Sequence, residues 1–433
     1  MQITGWGKYP VIEASLCHPQ SHRQVKDCLE EDFSGISRGM GRSYGDSSLA
    51  AQVVDVLPLN HILGFDSETG IVSCQAGVTL ADLLSVFVPK GWFLPVTPGT
   101  KFVSVGGAIA SDVHGKNHHI DGSFTDHLVE MLVMLADGNI LTCSPSQNSD
   151  LFHATCGGMG LTGVILQASF RLKPINSSFI DEVTYKAPNL AAILELFEQY
   201  ADSTYSVAWI DCSSRGKQMG RSLLMLGEHA PEDLECRTTG KSKLTLPVEL
   251  PNSTLNRYTI RAFNNIYYHR IMRSKRKRRI HYEPYFYPLD SINHWNRLYG
   301  RNGFTQYQFV LPREAGKQGL HAILKRIVDS HRGSFLSVLK AFGPENANYI
   351  SFPKAGYTLA LDFKLDAGIF EFLNELDRIV LDYGGRLYLT KDVRMGEAMF
   401  KDSYPRWQQF HEVRQKYGAI DTFNSLQSQR LGI

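Results

Sequence analysis

Three glycine-rich segments, met in order between residues 37 and 163, constrain this chain more than any other feature. The first is Ser37–Ser48, SRGMGRSYGDSS, in which Gly39, Gly41 and Gly45 alternate with small polar residues. Glycine reaches positive φ and lets several backbone N–H groups converge on one concavity. Such a concavity suits a pyrophosphate, with Arg38 or Arg42 adding charge; the same composition also closes a tight loop between two strands. The second segment is Pro98–Gly115, PGTKFVSVGGAIASDVHG. Gly106, Gly107, Ala108 and Ala110 leave almost no side chain there, so a flat ring or a phosphate can approach the backbone. The third, Gly157–Gly163, reads GGMGLTG and formally matches G-x-G-x-x-G. That motif holds a dinucleotide between a preceding strand and a following helix. Here helix-like NSDLFHATC precedes and strand-like VILQASFRL follows, which argues against a Rossmann nicotinamide site.

The spaces between these segments alternate strand and helix signals. Strands are predicted at Gln52–Val56, Gly70–Gln75, Val129–Leu135 and Val164–Leu172, with capped helices at Thr79–Phe87 and Asn148–Thr155. Beyond Pro174 the pattern becomes a sheet backed by helices. Strands are expected at Tyr205–Ile210, Thr305–Leu311, Phe335–Lys340 and Tyr357–Phe363, and helices at Pro188–Tyr200, Ala315–Ser330 and Ala367–Tyr383. The fold class is therefore α+β, with a boundary near residue 177. At 433 residues, 43% hydrophobic, the chain can bury a core without staples. The seven cysteines, Cys17, Cys28, Cys74, Cys143, Cys156, Cys212 and Cys236, are scattered and contain no CxxC. That favours free thiols in a reducing compartment over a disulfide framework or a zinc site. His118 and His119 are adjacent and would point apart in a strand, so no metal is expected. No secretory leader and no membrane-spanning apolar run is read, and the expected location is cytoplasmic. A net charge of +2 makes nucleic acid an unexpected partner.

Taken together, RGMGRSYGD (38–46), PGTKFVSVGGAIASDVHGKNHH (98–119), GGMGLTGVI (157–165), GFTQYQFVLP (303–312), FGPEN (342–346) and GGRLYLTKD (384–392) resemble the vanillyl-alcohol-oxidase-type FAD-binding fold. Within it the chain resembles the oxidase subunit of decaprenylphosphoryl-β-D-ribose 2′-epimerase. The resemblance implies a two-part FAD domain, residues 1–177 and 386–433, around a substrate domain, 178–385. It implies that Arg38, Gly39, Gly41, Arg42, Ser43 and Tyr44, with Pro98, Gly99, Thr100, Ser104, Gly106 and Gly107, hold the pyrophosphate side of FAD. Ala110, Ser111, His114, Gly115, Gly163, Ile165, Tyr388 and Lys391 would lie near the flavin. Gln306, Gln308 and Lys340 would line the substrate side, and Lys391, His114 and Tyr44 would serve the chemistry, Lys391 first as a proton acceptor beside the flavin. Gln306 and Gln308 are two apart and share a strand face.

Two departures from relatives matter. Many members of the wider fold link FAD covalently through a histidine where this chain has Arg42, and a guanidinium is no nucleophile; the FAD is expected to be non-covalent. Some closer relatives carry a cysteine where this chain has Ala360. The implied reaction oxidises the 2′-hydroxyl of a polyprenylphosphoryl-ribose, and a separate NAD(P)H-dependent short-chain reductase completes epimerisation to arabinose. The open alternative on the same fold is an oxidase of a soluble alditol, aldonolactone or nucleotide sugar. A lipid-linked substrate implies work at the inner face of the plasma membrane. The run Arg273–Arg279, RSKRKRR, with six basic residues of seven, then reads as an anchor to anionic lipid or as a mobile solvated loop.

Overall fold

The computed structural model describes residues 1–29, 32–231, 244–251 and 254–433; Cys236 lies outside them. It is an α+β fold built on three main sheets. A parallel three-stranded sheet sets Gln52–Asp55 between Ser15–Cys17 and Gly35–Arg38. A five-stranded antiparallel sheet runs in the order Ile140–Cys143, Leu128–Met134, Val164–Arg171, Ile71–Gln75, Ile62–Asp66. The largest has eight strands, in the order Lys275–His281, Phe179–Ala187, Ser222–His229, Tyr205–Ile210, Ser337–Phe342, Gly356–Lys364, Phe304–Pro312, Arg386–Leu387.

Local chemistry explains the element ends. Thr79 caps the helix Leu80–Phe87 in a reciprocal capping box with Asp82, which satisfies amide donors the first turn leaves open. That helix buries Leu80, Leu83, Leu84 and Phe87, one apolar face at helical spacing. Burying each such side chain stabilises the fold by about 1.5–3 kcal/mol. In the large sheet Tyr205–Ile210 is buried at every position, because both of its faces are covered. The helices Leu190–Gln199, Arg313–Ser330 and Ile369–Asp382 pack on one side of this sheet. The other side faces the glycine-rich segments.

The C-terminus returns to the first sheets. Gly35 N–H donates to Thr422 O at 2.9 Å, and Asn424 N–H donates back to Gly35 O at 2.8 Å. Arg414, almost fully buried, donates to Leu161 O and Phe423 O. Arg430 joins Asp46 of the first glycine segment, at 2.8 Å, to Asp392, also at 2.8 Å.

Three expectations fail here. Cys17 and Cys28 are not free thiols: the strand Ser15–Cys17 and the helix His22–Cys28 bring their Cα atoms to 6.2 Å and a disulfide joins them. Scattered spacing cannot reveal such a pair, and its presence removes the cysteine argument for a reducing compartment. Cys74, Cys143, Cys156 and Cys212 are free and buried. His118 and His119 begin a one-turn helix, His118–Asp121, rather than lying in a strand. The run Arg273–Arg279 is no mobile loop. Lys275–His281 is the edge strand of the large sheet, in register with Phe179–Tyr185, where Arg278 pairs with Glu182 at 2.7 Å and Arg279 with Asp181 at 2.6 Å. Charge and absent apolar alternation disguise an edge strand whose acidic partners sit on its neighbour. No described helix is long and apolar enough to cross a membrane.

Candidate functional site

The three glycine segments, the open face of the large sheet and the turn Tyr388–Lys391 enclose one cavity of about 620 Å³. Every residue assigned from sequence to cofactor, substrate or chemistry lines it. The segments are stitched together by backbone bonds. Gly157 N–H donates to Ile109 O and Met159 N–H to Ala110 O, joining the third segment to the second, while Tyr44 N–H donates to Thr390 O at 3.0 Å.

One end of the cavity is walled by backbone. Gly41 sits at φ +60°, and a Cβ there would lie 2.2 Å from the Arg38 guanidinium, so only glycine fits. Ser104 accepts the Gly107 N–H at 3.2 Å and caps the helix Val105–Ala110. Arg38 spends its donors on Thr4 O at 2.7 Å and on Ser48. Arg42 stacks over Trp6, 4.0 Å from the ring centroid, and loss of hydration lowers its pKa against the pull of Asp290.

The other end is built of side chains. Lys391 lies 3.9 Å above the ring of Tyr44. Burial pulls its pKa down to about 7, with Asp362 opposing and Lys340 assisting. Asp362 is buried opposite, taking Gln306 Nε2 at 2.6 Å and the Tyr299 hydroxyl at 2.9 Å; burial raises its pKa to about 6. Gln306 also bonds Tyr44, whose own pKa burial drives well above its ordinary value. Lys340, next to Gly115 O at 3.5 Å, is lowered to about 8 by burial. His114 packs among Phe342, Phe352 and Tyr388, and its Nε2 lies 3.0 Å from Gln308 Nε2. Burial, then the charges of Lys340, His118 and Lys391, push its pKa well below the ordinary range, so the ring is neutral at pH 7.

Sequence reasoning missed two participants. Lys116, inside HGKNHH, donates to Tyr285 O, sits 4.1 Å over the Tyr285 ring and is lowered by burial to about 7. Asp362 is two residues beyond Ala360 on the same strand, and period-two alternation alone would have put both on one face. The FGPEN block also acquires a reason. Asn346, Asn348 and Ser351 donate to Asp112 Oδ2, at 2.8, 3.1 and 2.6 Å, and Thr125 Oγ1 donates to Oδ1 at 2.6 Å, fixing the turn two residues before His114. His118 Nδ1 accepts from Gly343 N–H, and His119 Nε2 lies 2.9 Å from Ser203 O. Among the described residues no group of three His, Cys, Asp or Glu could hold a metal.

Residues 17–144 match the FAD binding domain family. The decaprenylphosphoryl-β-D-ribose oxidase of Mycolicibacterium smegmatis is 37% identical across 99% of this chain and 97% of its own length. This chain belongs to the decaprenylphosphoryl-β-D-ribose oxidase family. An uncharacterized protein in the mprA 5′ region of Streptomyces coelicolor is 30% identical over 82% of the chain and all of its own length. Mouse L-gulonolactone oxidase is 32% identical over 46% of the chain and 48% of its own length, so it shares only a part. As a member of this oxidase family the chain is an FAD-dependent oxidoreductase, and its cavity fits that cofactor. The volume falls within the ~300–1,000 Å³ usual for cofactor pockets, the glycine wall leaves backbone accessible, and His114 Nδ1 is buried with no hydrogen-bond partner among the described residues.

Proposed function

We propose that this oxidase converts the 2′-hydroxyl of a polyprenylphosphoryl-β-D-ribose to the 2′-keto sugar. The observation that carries the reading is the cluster of Lys391 on Tyr44, beside Gln306 and Asp362, with Lys340 in the same wall. When bound, FAD would supply the two-electron acceptor for the hydride that C2′ loses. The hydroxyl proton goes to the Lys391 amine, which at pKa about 7 is substantially unprotonated at neutral pH. Tyr44 holds Lys391 by its ring face, and Asp362 tunes it. Gln306 and Gln308 hold sugar oxygens, and Lys340 meets the phosphate as a point charge. His114, too weakly basic to accept the proton, positions Gln308 and the flavin. The segments 1–177 and 386–433 form the FAD-holding unit in this reading, and 178–385 covers the sugar.

The keto sugar needs a separate NAD(P)H-dependent reductase to become the arabinose form. A lipid-linked substrate also fits peripheral attachment at the inner face of the plasma membrane, with Arg273, Arg276 and Lys277 exposed on or beside the edge strand. The deciding experiment is anaerobic stopped-flow reduction of the bound flavin. A short-chain prenylphosphoryl-ribose should bleach it rapidly; an alditol, an aldonolactone and a nucleotide sugar should not. Equal bleaching by a soluble sugar would transfer the function to the alternative substrate class.

A further inference from the structure

The helix Arg257–His269 is held to the protein along one side, where Tyr267 packs on Trp209 and Phe263 on Phe335. Only Asn264 and Tyr268 are buried in it. Asn264 donates to Asp211 Oδ1 at 3.0 Å and Ser334 O at 3.2 Å, and the Tyr268 hydroxyl donates to Ala187 O at 3.2 Å. At about 100° per residue, Tyr258, Ala262, Ile266 and Phe263 fall on an arc of roughly 140°, centred opposite the Asn264–Tyr268 face. Most of this apolar arc points away from the protein, while Phe263 at its edge packs against Phe335. Tyr258 is 68% exposed and Ile266 71%, and just past the helix Met272 is 95% exposed. Scattered exposed apolar residues are ordinary, but a helix that turns its apolar arc outward needs a partner.

What surrounds the arc identifies the partner. From Thr254 to His281 the sequence holds nine Lys and Arg and no Asp or Glu. Arg257, Arg261, Arg270, Arg273, Arg276 and Lys277 are exposed. A second copy docking through a two-fold axis would set this charge against itself. An anionic bilayer offers both an apolar layer and the opposite charge. The same face is also the mouth of the cavity: Phe263, 42% exposed, lines it together with Trp209, Met225, Tyr267, Arg270 and Arg278.

We propose that the helix Arg257–His269 and the turn through Met272 are an interfacial docking element. It inserts Tyr258, Ile266 and Met272 into an anionic lipid surface and so opens the cavity directly to the bilayer. Its purpose rests on the lipid-linked substrate reading; the docking itself does not. A prenyl chain would pass along Phe263, Trp209 and Met225 without crossing water, with Arg270 and Arg278 lining the same opening.

The test uses the holoenzyme and sedimentation with vesicles of phosphatidylcholine containing about one third phosphatidylglycerol. The combined variant Tyr258→Ser, Ile266→Ser, Met272→Ser should bind roughly tenfold or more weakly than the parent. It should keep its flavin spectrum and its turnover of a water-soluble short-chain substrate, because none of the three residues lines the cavity. A polarity-sensitive dye on Met272→Cys, with the parent carried through the same labelling as blank, should shift to the blue on vesicle addition. Equal vesicle binding by parent and triple variant overturns the proposal. So does an unshifted dye on protein that still sediments, or a parent dimer that the triple variant disperses while lipid has no effect. If vesicle binding follows the expectation but prenylphosphoryl-ribose is not oxidised, the docking element stands and the substrate reading falls.

Discussion

The two ends of the cavity are made of different material. At one end Gly39, Gly41, Gly99, Gly106 and Gly107 present backbone, and the nearby cations are already engaged, Arg38 with Thr4 and Ser48 and Arg42 with Trp6. At the other end Lys116, Lys340 and Lys391 are held dehydrated among aromatic rings and two glutamines. The first end recognises shape and tolerates no added volume. The second is tuned by fields, and its properties follow from which charges are buried near which. A substitution should therefore damage one end by bulk and the other by charge.

The most complete effect concerns the bulk-sensitive end. With Arg42 stacked on Trp6 and no nucleophile in its place, acid or heat should release all flavin colour into the supernatant. Colour retained on the washed, denatured polypeptide would mean that this end bonds its cofactor covalently after all.

Next in size is Lys391→Ala. If the glycine wall holds most of the cofactor, as proposed, the variant should stay folded and yellow, while flavin reduction by substrate slows about 10²–10⁴-fold, the range of a general base. Gly39→Val should do the reverse. Its Cβ position lies 2.1 Å from Ser104 Oγ, so the cap on Gly107 must shift, at a cost of about 1 kcal/mol beyond the lost fit to FAD. FAD content after gel filtration should fall several-fold, with near-parental rates in the fraction still loaded. If Lys391→Ala sheds its flavin, the two ends are not separable.

The same contrast governs what could be read from sequence. Glycine clustering announces a backbone wall directly, and capping residues mark helices, so Thr79–Phe87 and the glycine-walled end of the cavity were legible. Strands buried in the large sheet were legible too, Tyr205–Ile210 to the residue. The charged end depends on pairings between distant strands. Asp362 matters only because Gln306 stands opposite it in register, and Lys116 only because the chain brings Tyr285 over it. Edge strand Lys275–His281 resembled a loop for the same reason: Asp181 and Glu182 lie almost a hundred residues away. Disulfide Cys17–Cys28 depends on a turn geometry that spacing does not encode.

The smallest expected effect probes the field itself. If Lys391 must be neutral to take the proton, kcat/KM rises with pH through about 7 as it loses its charge. If Lys340 must be charged to meet the phosphate, kcat/KM falls above about 8, giving a bell. Asp362 favours the charged form of Lys391 and Lys340 disfavours it. Asp362→Asn removes the favourable charge, so the acid limb should move to lower pH with the alkaline limb in place. Lys340→Gln removes the unfavourable one, so the acid limb should move to higher pH, the alkaline limb should vanish and KM should rise. Opposite displacements of one limb, by two substitutions that leave Lys391 itself untouched, have a simple source in Coulombic coupling through a dehydrated site. Were both variants to shift the limb the same way, its titrating group would be something other than Lys391, and the charged end would need a different base.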